Sequence, residues 1–175
     1  MKKNKLLLGK WGFFGAKIYD PYQDKFLKGD LLLNNGKIEK IGKINTKNIK
    51  VVDCTGKIIT SGFIDIRTHL RQPGSGYTET INSGSRAAMA GGYTSICVMS
   101  DINSPLDTPE SIKYIIDNSK KVPVNIFPIG SISVKHDGKE LCEFGQMTRE
   151  GAIAFSDNLN SVQNSQFLRY ALEYS

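Results

Sequence analysis

The pattern of apolar and polar positions along the chain changes character near residue 61. Between Trp11 and Ile59, short apolar runs are separated by turn-forming Gly, Asn and Pro residues. The Asn35-Gly36 pair is a strong hairpin signal, and residues 37–42 alternate as a half-exposed strand does. Residues 1–60 are therefore predicted to form a small β-sandwich-like segment.

From Ser61 onward, apolar runs of strand length alternate with patterns of helical period. The strands are predicted over residues 63–66, 93–99, 122–129 and 152–155, and the helices over residues 79–91, 109–118, 141–150 and 163–174. This alternation predicts a parallel sheet with right-handed crossovers, which either an α/β barrel or a doubly wound sheet provides. No G-x-G-x-x-G motif follows the first strand, which weakens the case for a dinucleotide-binding fold.

The stretch of residues 61–74, which reads S-G-F-I-D-I-R-T-H-L-R-Q-P-G, contains the densest group of side chains that are able to take part in catalysis or binding. Its apolar residues Phe63, Ile64 and Ile66 predict a short buried strand. The period of a strand then places four polar side chains on one face: Asp65, Arg67, His69 and Arg71. Charged groups at the end of a buried strand are typical of the carboxyl mouth of an α/β barrel.

At residues 65–71, D-I-R-T-H-L-R, the chain resembles the dihydroorotase family of the amidohydrolase superfamily, whose first barrel strand ends in D-x-H-x-H-x-R. The resemblance runs from Gly12 to the last residue and is densest over residues 61–92, 98–108 and 151–158. It implies that residues 61–175 form about the first four βα units of a TIM-type barrel, and that residues 1–60 belong to the composite β-domain of such proteins. A whole barrel needs about 250 residues. We therefore expect either a fragment or a chain that completes itself by association.

In this family the two histidines of the motif ligate zinc. His69 matches the second of them, whereas Arg67 stands where the first is expected. A guanidinium stays protonated and has no lone pair to offer a metal. The family also reads D-D-G near residue 158, where its second aspartate bridges two metal ions, and Asn158 is a poor replacement for that bridge. Zinc, although expected for the family, is thus predicted to be absent or weakly bound here, with His69 as a weak ligand.

The resemblance also assigns residues that contact the substrate carboxylate. Arg71 matches the family arginine and is able to hold a carboxylate through two hydrogen bonds. Asp101 stands where the family has an asparagine, and its charge would repel the same anion. Arg71 and Asp101 are the predicted substrate-binding positions. Asp65, Arg67 and Asp157 are predicted to be structural, with Arg67 filling the metal position and pairing with Asp65 or Asp157, and no catalytic residue is assigned.

Composition narrows the remaining alternatives. The formal net charge is +6, but the lysines are scattered and form no basic helix face, so no nucleic-acid binding is predicted. No apolar stretch approaches the ~18 residues of a membrane span. The three cysteines are widely spaced, which suggests neither a thiol zinc site nor disulfides and favours a reducing, cytoplasmic setting. His136, next to Asp137-Gly138 in a predicted turn, is expected to be exposed.

Three functional hypotheses follow from the resemblance. The preferred one is a non-catalytic or impaired relative in pyrimidine biosynthesis, because the family includes inactive members that act as structural partners of aspartate carbamoyltransferase. That enzyme or a second copy of the chain is the candidate partner, and a small-molecule carboxylate is the candidate ligand. The alternative is a fragment of an active zinc-dependent dihydroorotase, which interconverts carbamoyl aspartate and dihydroorotate. A hydantoinase-like or dihydropyrimidinase-like protein would need a carboxylated lysine, and no lysine stands near Asn158.

Overall fold

A computed structural model describes residues 8–175, which divide into two compact units, one ending at Ser61 and one beginning at Gly62. The first unit contains seven strands: β1 (Lys10–Phe14), β2 (Lys17–Asp20), β3 (Lys25–Leu27), β4 (Asp30–Asn34), β5 (Lys37–Gly42), β6 (Lys50–Asp53) and β7 (Ile58–Ile59). They form one sheet of order β5-β4-β1-β6 and another of order β3-β2-β7. This arrangement confirms the predicted β-sandwich-like segment.

The hairpin between β4 and β5 shows how sequence specifies a turn in this unit. Asn35 and Gly36 both have positive φ angles, 50° and 77°, as a two-residue turn of this kind requires. The side chain of Asn35 also accepts a hydrogen bond from the backbone N–H of Gly9, 3.0 Å away. The Asn-Gly signal therefore predicted the position of this turn correctly.

The second unit consists of four consecutive strand–helix pairs. Its elements are β8 (Phe63–Thr68), α1 (Ile81–Ala90), β9 (Tyr93–Val98), α2 (Pro109–Ser119), β10 (Asn125–Gly130), α3 (Phe144–Glu150), β11 (Ala154–Phe155) and α4 (Ser165–Tyr174). The strands are parallel and lie in the order β11-β10-β9-β8. This is the predicted partial TIM-type barrel with its first four βα units, and β8 and β11 form its two edges.

The helices begin and end at local sequence signals. Thr80 and Thr108 cap α1 and α2, each accepting a hydrogen bond from the backbone N–H of the serine three residues later, and Pro109 opens α2. α3 ends at Gly151, whose φ of 116° is the left-handed conformation common at helix ends. None of the helices within residues 8–175 is long and apolar enough to cross a membrane.

The main core of the second unit packs the sheet against its helices. Its most buried members include Val98, Ile112, Ile115 and Met147. Successive strand residues point to opposite faces, so Ile96 and Val98 join this core while Cys97 and Met99 join a separate, smaller cluster with Ile129. The helix-facing side of the sheet is thus well packed, and the opposite side carries only a small buried group.

The prediction that Phe63, Ile64 and Ile66 form a buried strand is wrong. Ile64 is 65% exposed and Ile66 is 74% exposed, because β8 lies at the edge of the sheet and pairs only with β9 among residues 8–175. The strand also ends at Thr68, and its pairing is irregular between Asp65 and Thr68. The regular alternation that was expected to place Asp65, Arg67, His69 and Arg71 on one face therefore does not extend to His69 and Arg71.

Candidate functional site

Two groups of polar side chains lie at or just after the ends of the parallel strands, at the edge of the sheet where barrel sites are built. We divide these residues into two groups. The outer cluster is partly or fully exposed and comprises Arg67, His69, Arg71, Asp101 and Asn158. The buried cluster is fully covered and comprises Ser100, Ser131, Ser133, His136 and Asp157.

Asn158 holds the centre of the outer cluster together. Its Oδ1 accepts a hydrogen bond from Nη2 of Arg67 at 3.3 Å. Its Nδ2 lies 2.8 Å from Nε2 of His69 and 3.1 Å from the backbone oxygen of Ser100. Residues 67, 69 and 158, which the resemblance placed in the metal site, are therefore brought together.

The neighbours of Asn158 determine which protons these groups carry. A guanidinium only donates hydrogen bonds and a backbone carbonyl only accepts them, so Oδ1 must face Arg67 and Nδ2 must face Ser100. Nδ2 then also donates to Nε2 of His69. The His69 ring is therefore the neutral form with its proton on Nδ1, and its Nε2 lone pair is occupied.

These residues do not fit a zinc ion. A protein zinc site usually needs at least three side chains with free lone pairs. Arg67 offers none and adds a positive charge, Asn158 presents an N–H, and the Nε2 lone pair of His69 accepts that N–H. Nowhere in residues 8–175 do three His, Cys, Asp or Glu side chains lie close enough together to hold a metal ion.

The expected ion pair of Arg67 with Asp65 or Asp157 is not formed. The Arg67 guanidinium contacts Asn158 instead. Oδ1 of Asp65 accepts a hydrogen bond from the backbone N–H of Arg67 at 2.9 Å. This carboxylate therefore contacts the backbone of Arg67 and not its guanidinium. The Asp157 carboxylate is directed towards the loop after β10, as described below.

Arg71 and Asp101 pair with each other. Nη1 of Arg71 lies 2.7 Å from Oδ2 of Asp101, and the backbone N–H of Asn103 donates to Oδ1 at 3.0 Å. The hydrogen bond from Asn103 and the Arg71 guanidinium together lower the pKa of Asp101 below its usual value. Asp101 is thus a stable carboxylate, and an incoming anion would have to displace it from Arg71.

Asp157 joins two loops from inside the buried cluster. Its side chain is 3% exposed. Oδ1 accepts the backbone N–H groups of Ile132 at 2.8 Å and Ser133 at 2.9 Å, and Oδ2 accepts the Ser133 hydroxyl at 2.5 Å. These three donors occupy the carboxylate, which connects the loop after β11 to the loop after β10.

The prediction that His136 is exposed is wrong, since only 4% of this residue is accessible. Its Nε2 lies 2.7 Å from the Ser100 hydroxyl and 2.8 Å from the Ser131 hydroxyl. The turn itself is real, because His136 has a left-handed φ of 58° at the end of a short 3-10 turn. A local pattern indicates a turn but does not show which residues cover it. The available signal was a serine within two residues of the end of each of two strands, Ser100 after β9 and Ser131 after β10.

Residues 56–173, which are more than half of the chain, match the family model described as dihydro-orotase-like. The chain belongs to the dihydro-orotase-like family. This confirms the resemblance identified at residues 65–71. One curated relative, a dihydroorotase of Caldicellulosiruptor saccharolyticus, is 42% identical over 164 residues, which are 91% of this chain and 38% of the relative. The chain thus spans about two fifths of the length of this dihydroorotase.

Solved structures support the fold of this dihydro-orotase-like chain. It superimposes on the L-hydantoinase (dihydropyrimidinase) of Arthrobacter aurescens with a TM-score of 0.67 and 18% identity, covering 85% of this chain and 32% of that one. A dihydroorotase crystal structure gives a TM-score of 0.63 at 11% identity, covering 95% of this chain and 48% of that one. At these identities the likeness shows the fold alone, so the hydantoinase match does not revive the hydantoinase-like hypothesis.

Proposed function

We propose that this chain is a non-catalytic or impaired dihydroorotase relative that serves pyrimidine biosynthesis as a structural partner in the cytoplasm. One observation carries the proposal: Asn158 donates to Nε2 of His69 while Arg67 donates to Asn158. This interaction closes the positions where the family resemblance expects metal ligands.

The chemistry of the outer cluster supports an inactive site. Hydrolysis of a cyclic amide by this family depends on a metal that polarises the carbonyl and activates water. Arg67 supplies a fixed positive charge but cannot accept a proton from water. The nearby Asp157 carboxylate already accepts three hydrogen bonds and is buried, so it is unavailable as a general base.

The substrate side of the site supports the same proposal. Arg71, the retained arginine, is neutralised by Asp101 at 2.7 Å. A carboxylate ligand would have to displace the Asp101 carboxylate. Asp101 belongs to the same chain and loses no translational or rotational freedom in binding Arg71, so weak anion binding is expected. Arg71 and Asp101 are therefore proposed to act as a pair within the protein.

The proposed partner role needs an exposed apolar surface. Within residues 8–175, the side chains of Ile64 and Ile66 on β8 are exposed. We propose aspartate carbamoyltransferase as the partner. Analytical ultracentrifugation of the chain with this enzyme should show a faster-sedimenting complex. The double variant Arg67→His with Asn158→Asp should form the same complex. Independent sedimentation of the two proteins would contradict the partner assignment.

The second candidate function is an active zinc-dependent dihydroorotase of which this chain is a piece. It is favoured by the 42% identity to a dihydroorotase of which the chain spans 38%. Under this hypothesis, residues of a longer protein complete the metal site and displace the contact between Asn158 and His69. Stoichiometric zinc with hydrolysis of dihydroorotate would establish this candidate.

Restoring the family's residue types at positions 67 and 158 tests which of the two candidate functions is correct. Arg67→His combined with Asn158→Asp places an imidazole and a carboxylate beside His69, which gives three potential ligands. We expect zinc affinity measured by calorimetry to rise by more than about tenfold, the scale on which changes around zinc sites act.

The matched control is Arg149→His with Asn82→Asp, which makes the same residue changes on exposed helix surfaces. This control should bind zinc as the native chain does. An equal rise in both double variants, or no rise in the first, would contradict the assignment of residues 67 and 158 as the missing ligands.

A further inference from the structure

Three polar atoms form a closed triangle inside the buried cluster. The hydroxyls of Ser100 and Ser131 lie 2.8 Å apart, and Nε2 of His136 lies 2.7 Å from the first and 2.8 Å from the second. The backbone N–H of Leu106 also donates to the Ser100 hydroxyl at 2.7 Å. All three side chains are buried, so their protons must be shared within this group.

Counting protons assigns the form of the His136 ring. If Nε2 accepts, the Ser131 hydroxyl donates to Ser100 and the Ser100 hydroxyl donates to Nε2, so both hydroxyl protons are used. If Nε2 carries a proton, one hydroxyl proton has no acceptor within the triangle and the Nδ1 lone pair has no donor within residues 8–175. A proton on Nδ1 leaves only that one N–H without a partner, so this form leaves fewer buried polar atoms unpaired, and we assign the proton to Nδ1. That nitrogen is buried and has no hydrogen-bond partner within residues 8–175, so Nε2 alone holds the ring by hydrogen bonds.

Ser100 connects this triangle to the outer cluster. Its hydroxyl contacts His136, and its backbone oxygen accepts Nδ2 of Asn158. The same Nδ2 donates to His69, and Oδ1 of Asn158 holds Arg67. A second link joins the same loops, because Nδ2 of Asn160 donates to the backbone oxygen of His136 at 3.1 Å.

We propose that His136 is the positioning residue of the site at the strand ends. By fixing Ser100, it fixes the side chain of Asn158, which in turn sets the tautomer of His69 and the place of Arg67. This role is distinct from the proposed function, because it holds for the described geometry whether or not the family reaction takes place.

Histidine labelling provides a direct test, because the sequence contains only two histidines. In the native chain labelled with ¹⁵N-histidine, both rings should show the widely separated nitrogen signals of a neutral ring protonated on Nδ1. His136→Asn removes Nε2 while keeping a residue type that tolerates the left-handed backbone. We expect the ¹⁵N chemical shifts of the two ring nitrogens of His69 to move much closer together in this variant, because the ring then exchanges between tautomers.

Two further serine variants test the path. Ser100→Ala breaks the link while keeping His136, so it should change the His69 signals as His136→Asn does. Ser131→Ala removes a hydroxyl of the triangle that has no contact with Asn158, so it should leave the His69 signals separated. His136→Gln restores a polar atom within reach of Ser100 and should recover the native His69 signals in part.

The outcomes are distinguishable from general loss of structure. Amide spectra identify any variant that does not fold, and Ser100→Ala then carries the test if His136→Asn fails. Unchanged His69 signals in folded Ser100→Ala would overturn the proposal, and so would an equal change in Ser131→Ala. Adding zinc to the native sample tests the proposed function separately, because metal binding would shift Nε2 of His69 without any substitution.

Discussion

The two polar clusters at the strand ends use their hydrogen-bonding capacity in different ways. In the buried cluster, the Asp157 carboxylate receives three donors and the Ser100 hydroxyl has three polar neighbours. The outer cluster is partly or fully exposed and is held by fewer contacts, of which one is as long as 3.3 Å. The three positions that depart from the family motif, Arg67, Asp101 and Asn158, all lie in the outer cluster.

Under the proposed function, this difference explains how the chain keeps its fold without the metal ligands that the family resemblance expects. An unsatisfied buried donor or acceptor costs about 1–3 kcal/mol, whereas an exposed ion pair contributes about 0–1 kcal/mol. Substitutions in the outer cluster are therefore expected to change the free energy of unfolding only slightly, whereas substitutions in the buried cluster are expected to lower it substantially. The strand ends stay aligned by contacts of Asp157 and Asn160, which do not involve the side chains of Arg67, His69 or Asn158.

The largest expected effect comes from removing the acceptor at the centre of the buried cluster. Asp157→Ala leaves the backbone N–H groups of Ile132 and Ser133 and one hydroxyl without their partner. We expect the free energy of unfolding, measured by urea denaturation, to fall by about 3 kcal/mol or more. Asp137→Ala, at an exposed carboxylate, is the control and should change it by less than about 0.5 kcal/mol. Similar losses in the two variants would refute the contrast between the clusters.

An intermediate effect is expected at the residue that joins the two clusters. Asn158→Ala removes the contacts to Arg67, His69 and the backbone oxygen of Ser100. Because Asn158 is only half-buried, water replaces part of these interactions, and we expect a loss of about 1 kcal/mol in thermal unfolding experiments. Asn48→Ala, at an exposed asparagine whose φ of 60° is left-handed like the 56° of Asn158, serves as the control. A loss as large as that of Asp157→Ala would place Asn158 in the buried framework instead.

The smallest effect is expected from the pair of Arg71 and Asp101, and it depends on pH. The pKa of Asp101 is lower in the folded chain, so its carboxylate stabilises the fold above its unfolded pKa of about 3.9. That contribution is lost as the pH falls through the lower, folded value. Asp101→Asn should therefore reduce stability by less than about 1 kcal/mol near pH 7, with a difference that shrinks towards pH 2. A difference that grows on acidification would show that the sign is wrong.

Local signals predicted the elements of the fold well. Thr108 and Pro109 located the start of α2, Gly151 located the end of α3, and the Asn35-Gly36 pair located a hairpin. These signals work because caps and turns depend on a few adjacent residues. The motif at residues 65–71 likewise identified the family and gathered Arg67 and His69 at one site.

Two features depended on contacts that the local pattern does not contain. Ile64 and Ile66 have the composition of a buried strand, but their exposure is set by which elements pair with β8. His136 sits in a predicted turn, but its burial is set by Ser100 and Ser131, 36 and 5 residues away in sequence. Edge position and loop packing are tertiary properties, and the sequence pattern alone could not determine them.

We propose that the positions around His69 are occupied by protein hydrogen bonds rather than by metal. The most direct measurement is the zinc content of the native chain after equilibration with excess zinc and removal of free metal. We predict no stoichiometric zinc and unchanged ring nitrogen signals for His69. Stoichiometric zinc ligated by Nε2 of His69, together with hydrolysis of dihydroorotate, would contradict the account.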